Sequence, residues 1–376
     1  MNFDNEKDSF PYQIPTIVGL NSGDVDAIKD FAFSSDGLPG YTSPLVNMMR
    51  GFKILGQGPQ MAPVSDDTIG LSFISRPIIN LSDDNCSRHP QLANLYKPAK
   101  NSPQMYIKCL LDKVEGDRNS CELLDNKMGW MALLTNLLKR SDGFGDLDLE
   151  TTTTDGGFRG EVHQQINGIL DENGQYSLRQ TYFNVKSGIV KDIFTAWLRY
   201  IYEVKVGDNG IEPYPGADYQ NYTDFDCRIY HIFMNKNLRT ISNMYMTVQS
   251  IPTTLATGAI AAIDNETTNR RGEGQDEVTI NYSSVGMRFD SWEVADGFNG
   301  TTMFFNPDMN PVNRANKYVK LEHSEYLELQ YEKCYPWINI STMELEWWMD
   351  RTLYTTLKNG NKAGKIPAVI QQQLKQ

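Results

Sequence analysis

The chain has 376 residues, with 47 Asp and Glu against 35 Lys and Arg, which gives a formal net charge of −12. Apolar residues at 40% and aromatic residues at 11% exclude a disordered chain. No apolar run approaches the ~18 residues needed to cross a bilayer, so no membrane insertion is expected. The acidic balance argues against a protein that grips nucleic acid, because a phosphate-binding face is basic. The length allows two or three domains, or one body with long extensions.

The N-terminal residues and the cysteines indicate the compartment in which the chain folds. The first residues are polar and acidic, without the basic start and apolar stretch of a secretory signal, so we expect a reducing environment. The five cysteines are odd in number and far apart, which predicts no disulfide framework.

Residues 1–67 are rich in Gly, Pro, Ser and Asp, and they predict an extended arm that becomes ordered only against a neighbouring subunit or the body.

The next segments predict a strand and a helix. Residues 68–81 are apolar and β-branched, and Pro77 makes them an edge strand or a strand that ends in a turn. Residues 106–111 fit either a short strand or a helix. Residues 126–139 predict a helix, with Asp125 as its N-cap, because apolar residues recur at helical spacing. A loop and a Thr-rich strand should follow, up to residue 157.

The stretch from 174 to 290 has the clearest pattern. Residues 176–185 alternate as a half-buried strand does. A helix over 189–204, capped by Ser187, should follow, then a hairpin over 226–248, a turn at Pro252, a mobile loop over 259–276 and a strand over 277–289 bent near Gly286. Four aromatic residues of this stretch are predicted to form the core or an assembly contact, namely Phe194, Trp197, Tyr230 and Phe233.

Residues 296–376 predict a C-terminal extension. A loop should open it at 296–300, and short strands are predicted at 318–321 and 325–331. The Ser341–Glu344 capping-box pattern predicts a helix over 342–359.

Acidic residues form the best candidate site. Alternation would place Asp146, Asp148 and Glu150 on one face of a strand, where such a row could bind calcium or act as a glycosidase pair. A solvated or lumen-facing row is the simpler interpretation. Cys86 and His89 supply two potential ligands, whereas a structural zinc needs four. With no P-loop, G-x-S-x-G or G-x-G-x-x-G motif, we predict no cofactor, no metal and no enzymatic activity.

Several segments resemble structural proteins of large tailed bacteriophages. The order of Trp130–Leu138, loop 142–157, strand 178–184 and helix 193–201 carries this resemblance, and so do residues 69–81, 227–234, 251–258 and 276–290. The order of strand, helix, hairpin, loop and strand is similar to the tail-tube fold of contractile-tailed phages, which their baseplate tube initiators share.

The resemblance implies a mainly β, α+β fold, an antiparallel β-sandwich with flanking helices. It implies a body over 68–295, between the arm (1–67) and the extension (296–376). It also implies a ring of copies of the chain, expected to be hexameric, that meets other tail or baseplate proteins. DNA would pass through the ring without specific binding, and the acidic row would line the lumen. The chain would be made in the host cytoplasm and reside in the virion.

The length of the chain exceeds that of a plain tube protein and favours a baseplate or tube-end role, or a tube protein with decorations. Two alternatives stay open. One is a virion-associated glycan hydrolase, acting through the three acidic residues, or a receptor-binding protein. The other is a neck or capsid component.

Overall fold

The computed structural model describes residues 68–361, except 120, 148, 171, 186, 207–209, 215–222, 236–237, 262–276, 323–324 and 326–332. The predicted arm, most of the loop predicted at 259–276 and most of the strand predicted at 325–331 therefore lie outside the described residues.

A six-stranded antiparallel sheet forms the centre of the fold. Its strand order is β1-β6-β7-β8-β5-β2, so β1 and β2 lie at its two ends. The strands are β1 (Thr68–Ile74), β2 (Leu138–Asp142), β5 (Gln175–Phe183), β6 (Ile229–Asn235), β7 (Ile241–Leu255) and β8 (Glu277–Phe289). The predicted edge strand and the predicted hairpin are both confirmed, since among the described strands β1 pairs only with β6, and β6 pairs with β7.

Two smaller sheets accompany the large one. Strands β3 (Leu149–Thr153) and β4 (Gln164–Leu170) form a two-stranded hairpin. Strands β9 (Tyr318–Lys320), β10 (Cys334–Asn339) and β11 (Glu344–Asp350) form a three-stranded sheet in the order β10-β11-β9.

The helices lie between and beside these strands. They are α1 (Asp83–Arg88), α2 (Pro103–Leu111), α3 (Lys113–Asn119), α4 (Ala132–Leu137), α5 (Ile189–Lys205), α6 (Thr257–Ile260), α7 (Trp292–Phe305), α8 (Arg314–Lys317) and α9 (Arg351–Asn361), with 3₁₀ turns at Ala93–Leu95 and Pro307–Met309. The undecided segment 106–111 is thus helical. The α+β class with a large antiparallel sheet is confirmed.

The large sheet curls so that its two ends approach each other. Gln180 on β5 donates from Nε2 to Ser72 Oγ on β1 at 3.2 Å, and Ser141 Oγ on β2 lies 3.1 Å from His231 Nε2 on β6. Strands β1 and β5 are four positions apart in the order. That separation would be ~19 Å in a flat sheet. The layers that face each other therefore belong to one sheet.

Helix α5 covers the apolar side of this sheet. Phe194 and Trp197 are fully buried and stack with ring centroids 5.9 Å apart. Trp197 Nε1 also donates to the carbonyl of Phe225 at 2.9 Å, so its polar atom is satisfied inside the core. The helix follows the predicted boundaries within one residue, but Gly188, not Ser187, is its N-cap residue.

The helix predicted over 126–139 is wrong in its extent. Only Ala132–Leu137 is helical, and Leu138 begins strand β2. Residues 129–131 are held as extended chain beside the end of β1, since Met131 N donates to the carbonyl of Ile74 at 2.9 Å and Arg76 N donates to that of Gly129 at 3.0 Å. These tertiary hydrogen bonds replace the helical ones that the apolar spacing predicted.

The C-terminal predictions are corrected at two places. The loop predicted at 296–300 lies inside α7, so the proposed boundary at 295/296 cuts through a helix. The helix predicted over 342–359 begins only at Arg351, because Glu344–Asp350 forms the middle strand of the small sheet. The strand predicted at 318–321 is observed as β9.

Strands β7 and β8 bend without ending. The turn predicted at Pro252 is wrong, because β7 continues to Leu255 with a register shift between Pro252 and Thr254. The bend predicted near Gly286 coincides with a positive φ of 69° at this residue. A Cβ at this position would also lie 2.9 Å from Val248 Cγ2, so both the conformation and the close packing require glycine.

Candidate assembly surfaces

The first candidate surface is the outer edge of β1. Near the end of the strand, Ser75 N donates to the carbonyl of Arg228, which directs every second N–H of β1 towards β6. The alternation leaves the N–H groups of Gly70 and Ser72 on the other side of the strand. Residues 129–131 cover only the end of that side, and no strand pairs with the rest of it in the described part of the chain. Ile69 on this edge is 44% exposed.

The second candidate surface is the edge of β2 at the other end of the sheet. Within the part of the chain that the structure describes, β2 pairs with β5 alone. Lys139 and Arg140 are exposed there, where Lys139 forms an ion pair with Glu277 and Arg140 forms one with Asp142 at 2.7 Å. The sequence predicted that the chain is helical up to Lys139, the first of these two cations. Their position on a strand became visible only through the pairing with β5.

The third candidate surface is the hairpin β3–β4. Each of its residues from Leu149 to Ile166 is exposed, and Phe158 at its tip has no cover at all. Four further apolar side chains along it or just before it are exposed as well, namely Leu147, Leu149, Val162 and Ile166. The Thr-rich strand was predicted, whereas its partner β4 was not. In the sequence, Gly156 and Gly157 indicate a turn after the Thr-rich strand, and this turn could have predicted β4.

The acidic candidates do not form a row on one strand. Asp146 lies in the irregular segment before β3 and Glu150 lies on β3, which begins only at Leu149. Both are exposed, and Asp148 lies outside the described residues. The placement of these residues in a lumen stays a prediction.

The four aromatic candidates occupy two environments. Phe194, Trp197 and Tyr230 are fully buried. Phe233 is half-buried and packs edge-on against Tyr245, with ring centroids 5.7 Å apart. Its ring also lies 3.2 Å from the position that a Cβ at Gly70 would take, so it lies beside the open edge of β1.

A polar network fills the space between the facing ends of the curled sheet. Gln180 bridges Ser72 and Ser141, and Ser141 contacts His231. The ring of Phe144 lies 5.1 Å from that of His231. Burial lowers the pKa of His231 to about 4, so the imidazole is neutral at pH 7.

The described residues offer little for metal or nucleophilic chemistry. No group of three or more His, Cys, Asp or Glu among them is placed to hold a metal ion. His89 contacts Glu203 at 2.8 Å, with both side chains buried, and burial raises the pKa of the Cys86 thiol to about 12. No helix among the described residues is long and apolar enough to cross a membrane.

Open sheet edges on a packed α+β body are surfaces on which another chain can pair. The family model described as "Putative phage tail tube protein" matches residues 13–363. The chain therefore belongs to this family, which gives it a structural role in a phage tail. Comparison with the curated proteins gives no match.

Solved structures of contractile injection systems are also similar to parts of the chain. The cap that terminates the tube of the anti-feeding prophage is 10% identical, with a TM-score of 0.26, over 41% of this chain and 80% of that chain. The PVC sheath/tube terminator is 14% identical, with a TM-score of 0.23, over 40% and 84%. The PVC sheath-tube complex gives 11% identity and a TM-score of 0.24, over 41% and 80%. At these scores the superpositions carry no argument, so the assignment depends on the family model.

Proposed function

We propose that the chain forms a ring of the tail tube, or of its baseplate end, through which DNA passes. The observation that carries the proposal is the pair of open edges, β1 and β2, at the two ends of one curled sheet. Unpaired N–H and C=O groups along an exposed edge are a template for another strand, and a closed ring removes such edges.

The direction of the strands is compatible with this closure. Five antiparallel pairings connect β1 to β2, so β2 runs antiparallel to β1 along the strand order. The β2 strand of a neighbouring copy beside β1 would therefore continue the antiparallel alternation. We propose six copies for the ring, as in the tail-tube fold that the sequence resembles.

The hairpin β3–β4 supplies a second contact in this proposal. An isolated two-stranded hairpin is at best marginally stable in water, and this one exposes apolar side chains along its length and at Phe158. Packing against a neighbouring copy would cover them. The hairpin follows β2 directly in the chain, so a subunit that pairs with the β2 edge lies within its reach.

The negative charge suits a conduit for DNA. A formal net charge of −12 and the exposed carboxylates of Asp146 and Glu150 would repel phosphates and would limit adhesion of passing DNA. The protein then acts without catalysis, by its shape and its charge.

Negative-stain electron microscopy and size-exclusion chromatography of the purified full-length chain test the proposal. Rings of uniform diameter, or short stacks of them, are expected. A chain that remains monomeric at every concentration and degrades cell-wall or capsule glycans would contradict it and favour the hydrolase alternative.

A further inference from the structure

A cavity of about 520 Å³ lies between the end of β1, the segment that precedes β6 and helix α7. We call it the α7 cavity. Ser75 and Arg76 form one wall, Asp226 and Arg228 a second, and residues 296–305 of α7 the third. This volume is in the range of cavities that bind small molecules or peptide side chains.

The lining of the α7 cavity is acidic. Asp224, Asp226 and Asp296 line it together with Arg76 and Arg228. Arg76 is unavailable to a ligand, since its guanidinium is buried and donates to four backbone carbonyls and to the side chain of Asn126. Three carboxylates therefore line the cavity, where Arg228 supplies the one cation that the described lining leaves available, and one of the three, Asp224, already accepts a hydrogen bond from the Tyr200 hydroxyl. Burial raises the pKa of both Asp224 and Asp226, because it disfavours their charged forms. A cation bound in the cavity would therefore stabilise the two carboxylates.

A buried hydroxyl group lies behind the wall of the α7 cavity. Tyr230 is fully buried, and its hydroxyl makes no hydrogen bond of good geometry with the described residues. It lies beside Thr301 and Arg228, and a Cβ at Gly297 would come within 3.0 Å of it. All three neighbours line the cavity. Tyr230 itself does not line the cavity, so its hydroxyl group lies directly behind this polar wall.

The rim of the α7 cavity adds an apolar contact. Phe304 is 57% exposed there, although the next residue, Phe305, is buried and contacts the Arg76 guanidinium at 4.9 Å from its ring centroid. An aromatic face beside carboxylates suits a cationic side chain with apolar neighbours.

The chain itself contains a segment with that chemistry. Residues 45–55, LVNMMRGFKIL, hold Arg50 and Lys53 among apolar residues and no carboxylate, whereas the rest of residues 1–67 holds nine carboxylates and only two lysines. The twelve residues 56–67 span up to ~40 Å. Strand β1 has seven residues and is therefore ~23 Å long. Residues 45–55 can thus reach the cavity at the far end of β1.

We propose that the α7 cavity is the docking site of residues 45–55 of the same chain, with Arg50 between the carboxylates and the flanking apolar residues against Phe304. Docking would neutralise the excess negative charge of the cavity and attach the N-terminal arm to the body. The proposal does not depend on ring formation.

Hydrogen exchange of the full-length chain, at a concentration where it is monomeric, tests the proposal. Amides of residues 45–55 should exchange at least about tenfold more slowly than an unstructured peptide does. Arg50→Glu and Asp296→Lys should each abolish that protection, and the double variant with both changes should restore it. Lys29→Glu in the arm and Asp84→Lys on the exposed side of α1 are the matched controls and should change nothing.

Three outcomes would overturn the proposal. The first is free exchange of residues 45–55 in the unmodified monomer, which would leave the cavity to another ligand. The second is protection that survives both single charge reversals. The third is protection that appears only as the protein concentration rises, which would assign the docked segment to a neighbouring copy. The near-ultraviolet circular dichroism of each variant verifies that the body is folded, so that a loss of protection reports the docking.

Discussion

Trp130 and Phe298 stack with ring centroids 4.3 Å apart and an angle of 23° between their planes. Trp130 precedes α4 beside the edge of the large sheet, and Phe298 lies on α7, in the region that the sequence predicted as the start of a separate extension. Phe73 of β1 contacts both rings edge-on. This aromatic cluster joins α7 to the body, so residues 296–305 are part of the central fold.

Phe298→Ala should destabilise the protein by about 3–5 kcal/mol, because it removes a fully buried ring and leaves a cavity. Urea unfolding followed by tryptophan fluorescence measures the change. Val312→Ala, at an apolar side chain that is 83% exposed, is the control and should stay within about 0.5 kcal/mol of the unmodified protein. A similar small effect of Phe298→Ala would show that α7 does not belong to the cooperative core.

Arg76→Lys should cost about 2–4 kcal/mol despite keeping the positive charge. The guanidinium of Arg76 donates to the carbonyls of Cys109, Leu110, Asn126 and Met128, and a single ammonium cannot satisfy all four. Thermal unfolding measures the loss. The same replacement at the exposed Arg88 is the control. Equal effects at both positions would refute a specific role of the planar guanidinium group of Arg76.

Stability should fall as the pH drops from about 6.5 to about 4, because unfolded His231 binds a proton in this range and folded His231 does not. The sign follows from the lowered folded-state pKa, and the full effect is about 3 kcal/mol. Above a pH of about 6.5, His231 is neutral in both the folded and the unfolded state, so its titration no longer lowers the stability. His231→Gln, which is neutral throughout, should flatten the pH profile of chemical unfolding, whereas exposed His163→Gln should leave it unchanged. An unaltered slope in His231→Gln would assign the acid sensitivity to other groups.

Ile69→Lys should prevent ring formation without unfolding the subunit, since a charge on an exposed edge strand disfavours pairing with another strand. Light scattering after size-exclusion chromatography reports the assembly, and circular dichroism reports the fold. Val312→Lys introduces the same charge at an exposed position away from the sheet edges and should assemble normally. Rings formed by Ile69→Lys would exclude β1 as an assembly edge.

Phe158→Ser should leave the free subunit as stable as before, because the ring is fully exposed at the tip of the hairpin. The apolar contact that it removes should instead weaken assembly, seen as shorter stacks or a higher concentration for ring formation. Electron microscopy across a concentration series measures both. Unchanged assembly would show that the tip of the hairpin has no partner.

Local patterns in the sequence were sufficient for the elements whose partners are close in the chain. The period of α5 places Phe194 and Trp197 on one face, and β6 and β7 pair across a short connection. The order of these elements also carried the resemblance to tail proteins that the family match confirms. For the same reason the acidic net charge and the aromatic core residues could be predicted without a structure.

Tertiary structure decided the elements whose partners are distant. Leu345, Trp348 and Met349 fit a helix by their spacing, yet they lie in β11 because backbone pairing with β9 and β10 outweighs a weak local preference. Residues 129–131 are extended because the end of β1 needs hydrogen-bond partners, and 296–300 is helical because Phe298 is buried against Trp130. The sequence alone thus determined the class of protein and its central hairpin and helix. Only the folded chain decided which edges stay open, because an edge is defined by the strands that do not pair with it.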